Sequence, residues 1–407
     1  MGLPGTTITL GNGNIGALSG DDGVMGLIVS GIAVAGRFAL GDVLGPFHSI
    51  QDAMDKGITA EYDTTNTTLA YKHIKDFFDE AGNGRPLYVM VVAKTVKLSE
   101  QVDKDLTHAK KLLTTVGGRI KFVGATRVPD GAYAPVYLDQ FDSDIWTAIT
   151  KAQALHADEY ALGRPCQFIL EGRDFQGTPG TAKDLRAANG PNASMVSVVI
   201  GQDNAFAAAN AYASKHASVG AVLGRLAKIH AGRNIGRVLD GPLALQNAGL
   251  SNGVSIATIS DVNLGVLHDK GYVFLRKIPT KSGLYFNSDP VCAPLSNDYN
   301  SISRSRAILK AVRLTNEVYS DYINDDPELD PATGKINVAE AKALQDAIEK
   351  KIGDNMLSGE KEISGVKATV DENSNILQTK RQAIRLQIVP KGSLEGIDVA
   401  LSYATTI

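Results

Sequence analysis

Apolar runs of strand length alternate with amphipathic segments of helix length through residues 24–230, and this alternation limits the fold more than any other feature. The strand-like runs are VMGLIVSG (24–31), PLYVMVVA (86–93), RIKFVGATR (119–127), CQFILEG (166–172) and ASMVSVVIG (193–201). Between them lie NTTLAYKHIKDFFDEAGNG (66–84), DSDIWTAITKAQALHADEYA (142–161) and AYASKHASVGAVLGRLAKIH (211–230), each long enough for a helix. In the first of these, Leu69, His73 and Phe77, flanked by Tyr71, Ile74 and Phe78, make a broad apolar face, and Gly82 and Gly84 stop it. Strands alternating with helices imply an α/β fold. A further strand is read in IAVAGRFAL (32–40), and a helix over the Ile50, Met54 and Ile58 positions behind Ser49.

The last third has another pattern, an α+β part. GYVFLRKIP (271–279) reads as a strand and NSISRSRAILKAVRLTNEVYSDYI (300–323) as a long helix. The acidic loop NDDPELDPATGK leads to a second helix, VAEAKALQDAIEKKI (338–352). Two period-2 segments follow. Ile384, Leu386 and Ile388 share one face of QAIRLQIVP, and Ile397, Val399, Leu401 and Tyr403 share one face of GIDVALSYATTI. Between them, Pro390-Lys391-Gly392-Ser393 has the residues of a hairpin turn.

Chemistry-bearing motifs are scarce. Gly11, Gly13 and Gly16 spell a G-x-G-x-x-G after the β-prone Thr7-Ile8-Thr9-Leu10. A phosphate loop needs a helix to follow, whose N-terminal N–H groups hold the pyrophosphate. Glycines at 20, 23, 26, 31, 36, 41 and 45 follow instead, and each costs a helix about 1 kcal/mol relative to alanine. The segment reads as a hinge and short strands. No G-x-S-x-G, P-loop or H-E-x-x-H is present, and the seven histidines are scattered along the chain. The acidic loop Asp325, Asp326, Glu328, Asp330 lacks the spacing of a calcium loop. Cys166 opens an apolar strand and reads as a buried, inert thiol; with Cys292 as the only other cysteine, no disulfide framework or zinc site is expected. The net charge of −3 lacks the basic excess of a nucleic-acid binder. No apolar run is long enough to span a membrane, and MGLPGTTITL has neither the charged nor the apolar region of a signal peptide. No cofactor and no catalytic residue is expected.

Both ends of the chain carry strand-forming sequence. A lone strand needs an edge to pair with, and a second chain can supply one. Two such ends on one subunit permit head-to-tail linkage into an open helical lattice.

The order of features resembles contractile tail sheath proteins of bacteriophages and related injection machines. The resemblance rests on the opening LPG with its β arm, then GDVLGPFHSIQDAMDKG and AYKHIKDFFDEAGNGRPLYVMVV. It continues through SVGAVLGRLAKIHAGRNIGRV, VNLGVLHDKGYVFLRKIPTKSGLYFNSDPVCAP, SISRSRAILKAV and LQIVPKGSLEGIDVALSY. Residues 95–135 match nothing in that pattern. The resemblance implies a structural, non-enzymatic subunit. Hexameric rings of it stack around an inner tube, assembled in the bacterial cytoplasm, and shorten to drive the tube into a target membrane. The implied partners are other copies of the chain, an inner tube protein, and baseplate and terminal cap proteins, with no nucleic acid and no membrane insertion.

Carried onto this chain, the resemblance implies a linking arm at 1–20, an α/β domain at 21–270, a C-terminal core domain at 271–395 and a second arm at 396–407. Thr7, Ile8, Thr9, Leu10, Ile397, Val399, Leu401 and Tyr403 are then arm residues. Ile384, Leu386 and Ile388 belong to the hairpin that accepts a neighbour's strand. Arg304 and Arg306 lie two apart at a helix start, about 200° around the axis from each other. One is expected to meet a carboxylate of the C-terminal domain, the other a neighbouring subunit. In the helix 338–352, Val338, Ala341, Leu344, Ile348 and Ile352 form an apolar stripe. Glu340, Lys342, Asp346, Glu349, Lys350 and Lys351 are left facing outward, toward the tube. The alternatives are an α/β enzyme with an unrecognised site, or a baseplate component of an injection machine.

Overall fold

The computed structural model describes residues 21–371 and 373–396. Its centre is a mixed sheet of seven strands: β1 (Met25–Gly31), β2 (Val43–Phe47), β3 (Leu87–Ala93), β4 (Phe122–Ala125), β5 (Gln167–Glu171), β6 (Val196–Val199) and β7 (Tyr272–Val273). Their order across the sheet is β7-β6-β5-β4-β1-β3-β2. β1 runs parallel to β3, with Met25–Gly31 opposite Leu87–Ala93, and parallel to β4. β4, β5, β6 and β7 continue in parallel, and β2 closes the other edge antiparallel to β3. Near-continuous apolar runs are what such strands require, because helices cover both faces.

Alternation along each strand sends residues to two cores. Met25, Leu27 and Val29 join Ile74 and Phe77 of helix α1 (Ala70–Ala81) and Val222 and Leu226 of α3 (Val219–Lys228). Ile28 and Met90 point the other way, to Ile145, Ile149 and Leu155 of α2 (Asp144–Ala161). The small-residue helix α3 packs unusually close to α1. A Cβ on Gly220 would lie 2.2 Å from the His73 carbonyl oxygen, and one on Gly224 2.6 Å from that of Phe77.

Three expectations change. Residues 32–40 form a turn with one bridge, Val34 to Phe38, and no strand. Gly36 and Gly41 adopt positive φ there, and Ile32 and Leu40 stay exposed, so no sheet neighbour gathers their apolar surface. The histidines do not all stay apart: His73 and His216 are fully buried with ring centroids 6.3 Å apart. The strand 271–279, read with the C-terminal unit, contributes Tyr272–Val273 to the large sheet as β7. Beyond α4 (Asp261–Asp269) and β7, that unit consists of α5 (Ile302–Ser320), α6 (Val338–Ile352) and an antiparallel ribbon of β8 (Ile363–Val370) and β9 (Ile384–Pro390).

Candidate assembly interface

Ser301 caps α5 by accepting the Arg304 N–H, and Asn337 caps α6 by accepting that of Ala339. The helices pack through Ala307, Ala311, Ile348 and Ile352, and the ribbon closes over them with Ile363 and Ala368. Leu386 and Ile388 of β9 rest on that cluster, and Ile384 rests on Ile336, Ala341 and Val370. The period-2 face Ile384, Leu386, Ile388 is therefore the inner face of the ribbon. Arg385 and Gln387, opposite Thr369 and Lys367, face solvent. The strand that pairs with β9 is β8, which the sequence reading passed over. Gly365 and the charged Lys367 break its apolar pattern, although Val366, Ala368 and Val370 keep the period.

A two-stranded ribbon has two edges, and here they differ. On the β8 side, the Glu349 carboxylate of α6 accepts the Ala368 N–H at 2.7 Å. Ala368 therefore does not donate to Leu386 opposite it, and the two form a non-hydrogen-bonded pair. The Asp371 N–H donates to the Ala383 carbonyl, which puts the bonded pairs at odd-numbered positions. By the alternation of antiparallel ladders, Ile384, Leu386 and Ile388 direct their N–H and C=O groups away from β8. Among the described residues no strand covers that edge.

Glu349 thus does not face outward as expected. Lys351 reaches Glu317 of α5 at 2.6 Å in a bridge on the surface of the helix pair. Val338 leaves the apolar stripe at 66% exposure, while Ala341, Ile348 and Ile352 are buried as read. Lys342 and Asp346 pair with each other at 2.8 Å on the surface, and Lys350 is exposed. The arm positions Thr7, Ile8, Thr9, Leu10, Ile397, Val399, Leu401 and Tyr403, and the glycines at 11, 13 and 16, lie outside the described residues.

At both ends of the described chain, side chains of the body hold the last described segments. Lys310 of α5 bridges Asp22, at 2.5 Å, and the buried Glu362 at the foot of β8, at 2.8 Å. Glu362 also accepts the Ala231 N–H that follows α3. Arg306 is 4% exposed and stacks near the Phe122 ring. Its guanidinium donates to the main-chain carbonyls of Asp22 and His230, not to a carboxylate of its own domain as expected. Arg304 is exposed, so the pair diverges as the helix geometry requires. At the other end, Glu395 accepts the Ser288 hydroxyl at 2.6 Å and lies 3.8 Å from His268 of α4. The His268 ring and that hydroxyl hold its carboxyl down to about 2. Buried Asp289 accepts the Ser303 N–H and the Asn234 side-chain amide. Burial pushes its carboxyl up to about 6. No local sequence signal marks Asp22, Lys310, Glu362 or Glu395, because their partners are distant in the chain.

The carboxyl ends of parallel strands are where α/β folds hold ligands. There, Arg127, Asp174 and Lys215 line a cleft of about 160 Å³. Lys215 pairs with Asp174 at 2.6 Å, and Arg127 stacks on the Tyr133 ring at 3.8 Å. Ligand pockets usually span roughly 300–1,000 Å³. Cys166 and Cys292 are buried, and burial lifts both thiols to about 12. Asp330 accepts the Ala332 N–H and the Thr333 hydroxyl, so it closes its own turn. No described helix is long and apolar enough to cross a membrane.

Residues 3–289 match the family profile described as DUF2586, N-terminal domain, and residues 298–407 that of DUF2586, C-terminal domain. No curated protein matches the chain. Among solved structures, the fold is similar to a chain of the anti-feeding prophage (AFP) baseplate, with TM-score 0.62 and 13% identity over 100% of both chains. It is also similar to the AFP helical sheath in the contracted state, with TM-score 0.60 and 13% identity, covering 100% of this chain and 99% of that one. The sheath complex of an extracellular contractile injection system, PVC, in the contracted state gives TM-score 0.60 and 11% identity, covering 100% and 98%.

Proposed function

The chain belongs to the DUF2586 family, and we propose that it is the subunit of a contractile sheath. It polymerises helically as stacked hexameric rings around an inner tube and shortens to drive that tube through a target cell envelope. The observation that carries this reading is the β8–β9 ribbon. On one edge Glu349 takes the Ala368 N–H, and the other edge offers the main-chain groups of Ile384, Leu386 and Ile388. A strand of four or five residues added there gains a few kcal/mol, at about 1 kcal/mol net per amide hydrogen bond. Summed over a lattice, that keeps neighbours joined while they rotate. The β-prone segments Thr7–Leu10 and Ile397–Tyr403 are the strands proposed to add. The fold likeness to contracted sheaths, end to end, supports the same reading. The role is structural, without catalysis or cofactor, and the subunit assembles in the bacterial cytoplasm into a phage tail or tail-like particle. Beyond itself, its partners are an inner tube protein and baseplate and terminal cap proteins; nucleic acid and membrane are not among them. On α6, Glu340, Lys342, Asp346, Lys350 and Lys351 are proposed as the tube-facing set, with Glu349 taken up by the ribbon.

The test is electron microscopy of the purified protein, alone and with its inner tube protein. Tubules are expected, and deletion of residues 1–10 or 397–407 is expected to leave a folded subunit that forms none. Full-length tubules from both truncations overturn the strand-addition reading. A second reading, a baseplate component, draws on the likeness to the AFP baseplate chain. It predicts closed rings of fixed size in place of tubules.

A further inference from the structure

A cleft of about 900 Å³ lies between α4, the loop 276–279 and the tail that leaves β9. Arg276, Lys277, Lys361 and Lys391 line it and are exposed. None of the four side chains has a hydrogen bond or ion pair among the described residues. Leu239, 83% exposed, and Leu394, 87% exposed, lie on its wall. Of the acidic side chains in its lining, Glu360, Glu362 and Glu395 have cationic partners and Asp261 is exposed without one among the described residues. Four unpaired cations thus face one unpaired carboxylate, and a site of that charge edged with leucine is poorly suited to a small apolar ligand. It suits an acidic loop with an apolar tip.

This chain carries such a loop. Between α5 and α6, Asp321, Asp325, Asp326 and Glu328 are exposed and have no cationic partner among the described residues, and Ile323 stands 70% exposed among them. The two surfaces cannot meet within one subunit. Ser303, at the start of α5, lines the cleft, and the acidic loop follows Ser320 at the far end of this 19-residue helix. At 1.5 Å per residue, Ser303 and Ser320 are about 26 Å apart. Two complementary patches at opposite ends of one rigid helix make a head-to-tail contact, which builds an open-ended array.

We propose that the basic cleft takes the acidic, Ile323-bearing α5–α6 loop of a second copy of this chain. The inference rests on the self-assembling reading above and adds a second contact to the strand exchange. Ile323 packs against Leu239 and Leu394, while Asp325 and Asp326 meet Arg276 and Lys277. Because these charges are exposed, the contact weakens with salt over a screening length of about 8 Å at physiological ionic strength.

The experiment reverses charge on each side of the contact. One variant carries Arg276→Glu and Lys277→Glu, another Asp325→Lys and Asp326→Lys. A third carries all four substitutions. Sedimentation and electron microscopy read the polymerised fraction, and circular dichroism checks folding. Each double variant is expected to lose roughly ten-fold or more of its polymer, since like charges then face each other. The equimolar mixture of the two, and the four-substitution chain, are expected to polymerise again, because each restores opposite charges. Double variants that polymerise like the unsubstituted chain overturn the contact and leave the sheath reading standing. So do folded double variants that neither mixing nor the four-substitution chain rescues. A cleft variant that polymerises normally but loses its tube or baseplate protein assigns the cleft to that partner and overturns the proposal. An unsubstituted chain that forms no polymer, with or without its tube, overturns the sheath reading and this contact with it.

Discussion

Glu349 sits at a helix position that charge alone assigns to solvent, yet it accepts the Ala368 N–H on one edge of the ribbon. A hydrogen bond to a charged group contributes about 1.5–3 kcal/mol. Glu349→Ala is therefore expected to lower stability by about 2 kcal/mol in urea unfolding, and Lys350→Ala, about 100° further around the helix and exposed, by less than about 0.5 kcal/mol. Asp289 illustrates the opposite electrostatic sign. It is 2% exposed, and burial raises its carboxyl to about 6. The folded state then holds a proton that the unfolded state, near 3.9, gives up. Stability from this group is full below about pH 4 and is lost as pH rises through 6, a change of about 2–3 kcal/mol. Asp289→Asn cannot ionise. The stability difference between the two proteins, measured by denaturant unfolding from pH 4 to 7, should shift by that amount in favour of the variant. A constant difference across this range would remove Asp289 from the pH response.

Among the elements, the contact of α1 with α3 is the tightest helix packing in the sheet domain, and glycine makes it possible. Gly224→Ala places a methyl 2.6 Å from the Phe77 carbonyl oxygen, so the helices must separate. Overpacking of this kind costs about 1–3 kcal/mol, despite the better helix propensity of alanine. Gly265→Ala in α4 meets nothing within 4 Å and is expected to raise stability by about 0.5–1 kcal/mol. Thermal unfolding of the two variants, moving in opposite directions, checks this. The ribbon supports a second element-scale test. Ile384 is the first residue of β9, and its N–H points to the open edge. Ile384→Pro removes no ladder bond to β8, and proline is tolerated at a strand start. The subunit is expected to fold with its thermal midpoint nearly unchanged and to assemble poorly. Gln387→Pro removes a ladder donor and is expected to unfold the ribbon.

At the scale of the whole molecule, one buried charge cluster joins the sheet domain, the root of the N-terminal segment and the C-terminal ribbon. Lys310 is its centre, with a side chain 12% exposed between Asp22 and the buried Glu362. Removing one partner of a buried pair leaves the other charge uncompensated and costs about 3–5 kcal/mol. Lys310→Met is expected to destabilise by that order and to separate one unfolding transition into two, with the C-terminal unit melting first. Limited proteolysis should then cut between residues 290 and 300, at the boundary of the two family domains. A single transition at an unchanged temperature would show that the domains are held by other contacts. The same cluster lies on the path between the proposed linking strands, so a pull on either end passes through the body of the subunit.

The sequence by itself determined the elements whose signal is local. β1, β3, β4, β5 and β6 follow from apolar runs, and the bounds of α6, the presence of α5 and the shared face of Ile384, Leu386 and Ile388 follow from periodicity, both of which neighbouring residues set among themselves. Helix capping by Ser301 and Asn337 is local in the same sense. What only the tertiary structure decided is which distant groups meet. Arg306 and Asp22 are 284 positions apart, Lys72 and Asp203 are 131 apart, and Glu349 reaches Ala368 across 19. A charge on a helix reads as solvated until a strand from elsewhere brings an unpaired N–H beside it, and a lysine reads as exposed until two carboxylates close around it in a buried site. Burying a polar group is costly unless a partner is present. Only the folded chain supplies that partner, and so Glu349, Lys310 and Arg306 take their roles from the fold while Leu386 carries its own in the sequence.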